Sequence, residues 1–138
     1  VTLVTDVGVR LPAQLTASGR SILAHLPAAQ IRALFPEARG FVDRTGRRPG
    51  SLPELRRVLA AERQQGWAEE IGQVSDGLQS VAACAFDHSG RPCAAISVTW
   101  RQDRARAPRA ALVQAVRTGA QQLTWALSGR APDGWFAP

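Results

Sequence analysis

Three hydroxyl side chains carry the first chemical signal in this chain. Ser80, Ser97 and Thr99 sit in two strand-like runs, Leu78 to Phe86 and Pro92 to Trp100, folded back on each other at Asp87-His88-Ser89-Gly90. Small residues hold every second position around them: Ala82 and Cys84 in the first run, Cys93 and Ala95 in the second. Strand side chains alternate between faces. If Phe86 pairs with Arg91, the loop has four residues and Gly90 supplies its positive φ. Cys84 then faces Cys93, Ala82 faces Ala95, Ser80 faces Ser97 and Leu78 faces Thr99, all on one side. Val81, Ala83, Ala85, Ile96, Val98 and Trp100 make the other side apolar and suited to a packed helix. A small, hydroxyl-bearing face can floor a pocket for a small polar ligand. It is also the pattern of an ordinary solvent-facing sheet, and the pattern alone favours that plainer reading.

Other residues compete for a chemical role. The run Thr16-Ala17-Ser18-Gly19 leads into an apolar-periodic segment. It would present backbone N–H groups to a carboxylate or phosphate, although the GxxxxGK[ST] spacing of nucleotide hydrolases is absent. Gly19 also suits a helix that lies close on a sheet. Glu69 and Glu70 are adjacent, so on an extended segment they point to opposite faces and form no acid/base dyad. One of them would face a pocket as an acceptor for a ligand hydroxyl, or both are solvated charge. Facing cysteines read as a redox or metal pair, or more commonly as two small buried residues. With only His25 and His88 available, the ligands for a metal site are lacking and none is expected. A GxSxG elbow is also absent, and neither histidine is placed as an obvious base for Ser18, Ser80 or Ser97. A hydrolase using a serine or cysteine in the same cavity is the competing reading, and it needs a base within about 3 Å of the nucleophile.

These residues need a scaffold, and the remaining sequence supplies one. Val1 to Val9 reads as a strand. Thr16 is a candidate N-cap for a helix through Ile22, Leu23 and Leu26, and Ala28 to Phe35 forms a second helix ended by Pro36. Arg39 to Gly50 is a loop rich in glycine, proline and charge. Ser51-Leu52-Pro53-Glu54 is a capping box opening a helix whose buried stripe is Leu52, Leu55, Val58 and Leu59, stopped by Gly66. A short polar segment leads to Gly77 and the hairpin. After the hairpin, Pro108 opens a long helix to about Ser128. Its stripe is expected at Leu112, Ala115, Val116, Gly119, Leu123 and Leu127. Trp135 and Phe136, in the tail from Arg130 to Pro138, are candidates to dock. The expected fold class is α+β: an antiparallel sheet with helices packed on it.

The composition bounds the alternatives. At 138 residues with 45% hydrophobic content, one folded domain is expected. The net charge of +6 comes from 17 basic and 11 acidic residues, and every basic residue is arginine. Basic clusters, including Arg44, Arg47 and Arg48, raise nucleic-acid binding, but no helix-turn-helix or zinc-finger signature accompanies them, and a solvated surface is the better reading. No apolar run has the length of a membrane span. Two cysteines and the absence of a secretory leader point to a reducing cytoplasm. The chain opens on Val1 without an initiator methionine, which reads as a fragment of a longer protein.

Several weak motifs fall in register. Leu11-Pro12, Thr16 to Ala24, Leu52 to Leu55, Gly66-Trp67, Gly77 to Ala83, Phe86-Asp87, Gly90 and Ala94 to Val98 together resemble the C-terminal effector-binding domain of the IclR family of bacterial transcription regulators. The resemblance runs from Val1 to about Gly129. It implies a GAF-like fold, an N-terminally truncated effector-binding domain over 1–129 and a tail over 130–138. It implies a small-molecule effector, a carboxylate or aromatic metabolite, and no cofactor. DNA would be contacted only through a missing winged helix-turn-helix domain, and the full-length protein would be a homodimer or homotetramer. Position by position, it assigns the pocket to Leu11, Ala17, Ser18, Glu70, Leu78, Ser80, Ser97 and Thr99, with Leu3 as a further wall residue. The sequence departs from the family pattern at Arg20, where lysine is usual, and at Gly72-Gln73, which replace an acidic pair. It departs again in the arginine-rich Phe41 to Pro49 and at Trp100, where a small residue is common.

Overall fold

A computed structural model describes residues 7–36, 41–104 and 107–136. Helices α1 (Ala17–Leu23), α2 (Ala28–Leu34) and α3 (Leu52–Gln65) precede strands β1 (Ala68–Ile71), β2 (Leu78–Phe86) and β3 (Pro92–Arg101), and α4 (Arg109–Ala126) follows. The strands form one antiparallel sheet in the order β1-β2-β3. Helix α1 packs on one face of it and α4 on the other. The strand expected over Val1 to Val9 lies mostly outside the described residues. Where it is described, Val7 and Gly8 form a turn and both Val7 and Val9 are exposed.

Local chemistry sets the helix ends. Thr16 caps α1 by accepting from the N–H of Gly19 at 2.9 Å. Ser51 accepts from the N–H of Glu54 at 3.4 Å, and the Glu54 carboxylate reaches back one residue further than in a capping box, to the N–H of Gly50 at 2.6 Å. Gly66 ends α3 in the left-handed region, at φ 88°, where a side chain would be strained.

The hairpin register differs from the expected one by two residues. Ser80 pairs with Thr99, Ala82 with Ser97 and Cys84 with Ala95, while Phe86 pairs with Pro92 across an irregularity at Ala85/Phe86. One residue of the offset arises at the turn, where Phe86 pairs with Pro92 instead of Arg91, and the other from the unpaired Cys93, which separates the cysteines. A shift of two preserves the faces, so Ser80, Ser97 and Thr99 stay together although their partners change.

The small-residue face is not open to solvent along its length. Ala17 of α1 meets Ala68 and Ala82 in an all-alanine contact, and Ile22 packs near Cys84 and Phe86. Methyl-sized side chains let the helix lie close on β2, while Cys93, Ser97 and Thr99 of β3 stay exposed and the Leu78 end is left open. Gly19 serves a different approach from the expected one. A Cβ there would strike the carbonyl oxygen of Ala13 and Oγ1 of Thr16, so its bareness admits the preceding turn rather than the sheet.

On the other face Val81 and Ala83 meet Val116 and Ala120, with Ile96, Val98, Trp100, Leu112 and Val113 around them. The buried line of α4 is Val116, Ala120 and Thr124, while Ala115 and Leu127 are exposed, so the stripe is rotated from the expected one. Thr124 is the reason it could be missed. Its hydroxyl donates to the Ala120 carbonyl at 2.8 Å and accepts the Phe86 N–H at 3.1 Å, which makes a polar residue fit the core. Trp135 docks, standing edge-on to His25 (ring centroids 4.2 Å apart) and to Phe86 (5.9 Å).

Candidate functional site

The uncovered end of the α1 face forms a cavity of about 110 Å³. Leu11, Ala17, Ser18, Glu70, Leu78, Ser80, Ser97 and Thr99 all line it, with Thr16, Val74 and Ser75 completing the wall. The eight positions anticipated from the sequence are thus brought together; Leu3, the ninth, lies outside the described residues. Val74 and Ser75 went unrecognised because they belong to a turn, between Gly72 and Gly77, without a periodic pattern. The two residues before Gly77 gave no sign that this turn folds over the sheet.

Each wall has a local cause. Strand alternation aims Leu78 and Ser80 of β2, and Ser97 and Thr99 of β3, at α1. The same alternation on β1 separates the two glutamates. Glu69 turns to the α4 side, where Arg109 donates to its two oxygens at 2.6 Å each while lying over the Trp67 ring at 4.8 Å. Burial works to raise the Glu69 carboxyl, but the bonds from Arg109 and Gln79 prevail and hold it below its ordinary range. Glu70 turns into the cavity and is 2% exposed.

Glu70 organises the site. Its Oε1 accepts the N–H groups of Gln73 and Val74, the latter at 3.0 Å, so the carboxylate fastens the turn that forms one wall. Its Oε2 lies 3.3 Å from the Ser80 hydroxyl, which stands 2.8 Å from that of Thr99. With Ser80 donating to Glu70, the hydroxyl of Thr99 donates to Ser80, leaving the Thr99 oxygen able to accept from a ligand. Ser18, Ser75 and Ser97 add hydroxyls that can donate or accept. At the α1 end the N–H of Gly19 is taken by Thr16, so of the three N–H groups at Ala17 to Gly19, only the first two remain to face a ligand.

Arg20 had no role in the sequence reading beyond replacing a lysine, yet it holds the wall elements together. It is 1% exposed. Its Nε donates to Glu62 at 2.9 Å and its Nη1 to the carbonyls of Gln14 and Leu15 at 3.2 and 3.3 Å. Nη1 also meets Oε1 of Gln73, and Nη2 donates to the carbonyl of Glu69. Five planar donors reach α3, the 13–16 turn, β1 and the 72–76 turn at once, which an ammonium cannot do. Burial pushes the Glu62 carboxyl upward, and the Arg20 charge opposes it.

Neither histidine reaches the cavity. His25 is set against Phe86 and Trp135, and burial, with the Arg63 charge, depresses its pKa to about 4. His88 belongs to the exposed hairpin loop. Among the described residues, then, no imidazole serves the hydroxyls, and the hydrolase reading is without support. Cys84 is fully buried and its thiol is pushed up to about 12, chiefly by burial and then by Cys93. That disfavours the thiolate form on which redox or metal chemistry depends. Among the described residues no group of three His, Cys, Asp or Glu side chains is placed to hold a metal ion, and no helix is long and apolar enough to cross a membrane.

Comparison with known proteins gives this geometry a setting. The family described as "Bacterial transcriptional regulator IclR C-terminal" matches residues 1–125. The glycerol operon regulatory protein of Streptomyces coelicolor is 31% identical over 101 residues, 73% of this chain and 39% of that protein. The Pca regulon regulatory protein of Pseudomonas putida is 32% identical over 99 residues, 72% of this chain and 34% of that protein. The chain thus spans less than half the length of these relatives. The repressor BlcR of Agobacterium tumefaciens superposes with a TM-score of 0.83 at 29% identity, over 91% of this chain and 51% of that one. The inducer-binding domain of PobR from Acinetobacter, solved in complex with 3-hydroxybenzoic acid, shares the fold with a TM-score of 0.72 at 22% identity, over 85% of this chain and 67% of that one. From Val1 into the last turn of α4, the chain belongs to the C-terminal domain family of bacterial IclR transcriptional regulators.

Proposed function

We propose that this domain senses a small-molecule effector, a small carboxylate or aromatic metabolite, in the cavity between α1 and the β2–β3 hairpin. The observation that carries the reading is the convergence of Leu11, Ala17, Ser18, Glu70, Leu78, Ser80, Ser97 and Thr99 on one hollow. Its chemistry is graded. Leu11 and Leu78 offer apolar contact, Ser18 and the opening turn of α1 offer donors to a carboxylate, and Thr99 offers an acceptor to a ligand hydroxyl. A cavity of about 110 Å³ is smaller than the roughly 150 Å³ that admits a benzene ring. In this form it favours short hydroxy and keto acids over aromatic acids. Binding would draw α1 and the 72–76 turn together across the ligand.

The relatives are regulatory proteins of operons and regulons. By that likeness, the effector would alter operator binding by a winged helix-turn-helix domain outside this chain, in a cytoplasmic homodimer or homotetramer. A thermal-shift screen of short hydroxy, keto and aromatic acids tests the pocket. A native-state ligand raises Tm in a saturable way, and Ser80→Val with Thr99→Val should abolish the rise while the unliganded protein still melts cooperatively. A saturable rise that survives those changes would place the ligand elsewhere and sink the reading.

A further inference from the structure

A second and larger hollow, of about 470 Å³, lies behind the wall of the first. Arg20, Arg47, Arg48 and Arg57 line it, with Gln73 and one carboxylate, Glu54. Arg47 and Arg48 come from the arginine-rich segment before α3, which the sensing function leaves unexplained. That segment is strapped in place. The hydroxyl of Thr45 donates to the Gly72 carbonyl at 2.5 Å, and Nε of Arg44 donates to the Val74 carbonyl at 2.9 Å. The guanidinium of Arg47 occupies the space that a side chain on Gly72 would need.

The four arginines of this hollow are unequally neutralised, and Arg20 is fully committed. Glu62 engages Arg20, and the Glu54 carboxylate accepts the Gly50 N–H. Arg47 meets Asp76 at 3.1 Å and Arg48 meets Asp43 at 3.3 Å, but these pairs are solvent-facing, with Asp76 75% and Asp43 43% exposed. Solvent-facing pairs of this kind are weak and screened by salt, so an incoming anion can compete with them. Arg57 has no acidic partner among the described residues. The guanidinium groups of Arg47, Arg48 and Arg57, lining one concavity, match the oxygens of a phosphoryl or carboxylate group, and a multivalent anion relieves their mutual repulsion. A concave arrangement suits a small anion better than the regularly spaced phosphates of a duplex.

We propose that this arginine-lined hollow is a second ligand site, for a small, multiply charged oxyanion bearing phosphoryl or several carboxylate groups. The two sites share a wall. Gln73 lines the arginine hollow, its neighbours Val74 and Ser75 line the hydroxyl cavity, and Glu70 holds the N–H groups of Gln73 and Val74. An anion seated against Gln73 therefore bears on the turn that closes the other cavity.

The test is calorimetric and thermal-shift titration with inorganic pyrophosphate and with citrate, at ionic strength held constant with sodium chloride. The proteins are the unaltered domain, Arg48→Gln/Arg57→Gln and, as a control in the other cavity, Ser97→Val. The expected result is saturable binding by the unaltered domain and by Ser97→Val, weakened at least about tenfold in the double arginine variant. Binding of pyrophosphate alone assigns a phosphoryl ligand, and binding of citrate alone assigns a polycarboxylate. Circular dichroism of the double variant checks its fold. If it is altered, Arg57→Gln alone, at an exposed position, carries the comparison. Absence of saturable binding, or equal binding by the arginine variants, overturns the proposal. So does displacement of pyrophosphate by random-sequence duplex DNA that binds through the same arginines, which would make the surface a nucleic-acid contact.

Discussion

Replacing Arg20 by methionine should be among the most damaging single changes to this domain. The side chain is 1% exposed and its charge is balanced by Glu62, itself 6% exposed. Methionine fills much of the volume but strands the carboxylate and leaves the carbonyls of Gln14, Leu15 and Glu69 without their donor. Removing one member of a buried pair costs about 3–5 kcal/mol, a large part of a total stability of about 5–15 kcal/mol. With a urea m-value of about 2 kcal/mol/M, the unfolding midpoint should fall by roughly 2 M. The loss should also depend on pH. Without Arg20, burial of Glu62 is opposed only by the bond from the Glu69 N–H, so its folded pKa rises further. That raised value favours the protonated folded form, so the variant's deficit should shrink as pH falls toward the ordinary carboxylate range and grow above it. Adding Glu62→Leu should recover part of the loss, because the stranded charge is then gone. Arg20→Lys should fall between, since three donors cannot serve every acceptor. A midpoint shift under about 0.5 M for Arg20→Met, or a deficit that is flat from pH 5 to 8, would refute this account of Arg20.

Further outcomes follow from other residues. His25 is held neutral, with a folded pKa near 4 against about 6.5 when unfolded, so its contribution is present above the unfolded value and lost as pH falls through 6.5 toward 4. Discounted for its partial exposure, this is roughly 1–2 kcal/mol, measurable as the difference in acid sensitivity between the domain and His25→Phe. Gly129→Ala would place a methyl 1.9 Å from the backbone oxygen of Phe86, which cannot yield as a side chain would; denaturant melts should show a loss of about 3 kcal/mol or more. Glu70→Gln can keep an oxygen for the N–H groups of Gln73 and Val74, but it removes the charge assistance and places a donor at the Oε2 position facing Ser80, so hydrogen exchange at those amides should accelerate with a local cost of about 1–2 kcal/mol. Trp135→Ala should lower stability by about 3–5 kcal/mol by emptying the contact with His25 and Phe86, and no change would show that the tail packs differently in solution.

Local rules made much of this domain legible from its residues alone. Thr16, Ser51 and Gly66 act at helix ends through atoms a few residues away, so their spacing was enough. Alternation along β2 and β3 put Ser80, Ser97 and Thr99 on one face in both the expected and the observed register, because the two differ by an even step. Tertiary structure decided the rest. Which cross-strand residues meet depends on where the turn closes and on an unpaired residue at Cys93, neither of which a periodicity announces. Which side of α4 is buried depends on Thr124 finding a strand N–H to satisfy. Whether the small-residue face is open or covered depends on how closely α1 can lie on it, set by three alanines far apart in sequence. Arg20 reads locally as a surface charge. Only the convergence of Gln14, Leu15, Glu62, Glu69 and Gln73 makes it a buried one, because the oxygens that offset its desolvation lie as many as 53 residues away.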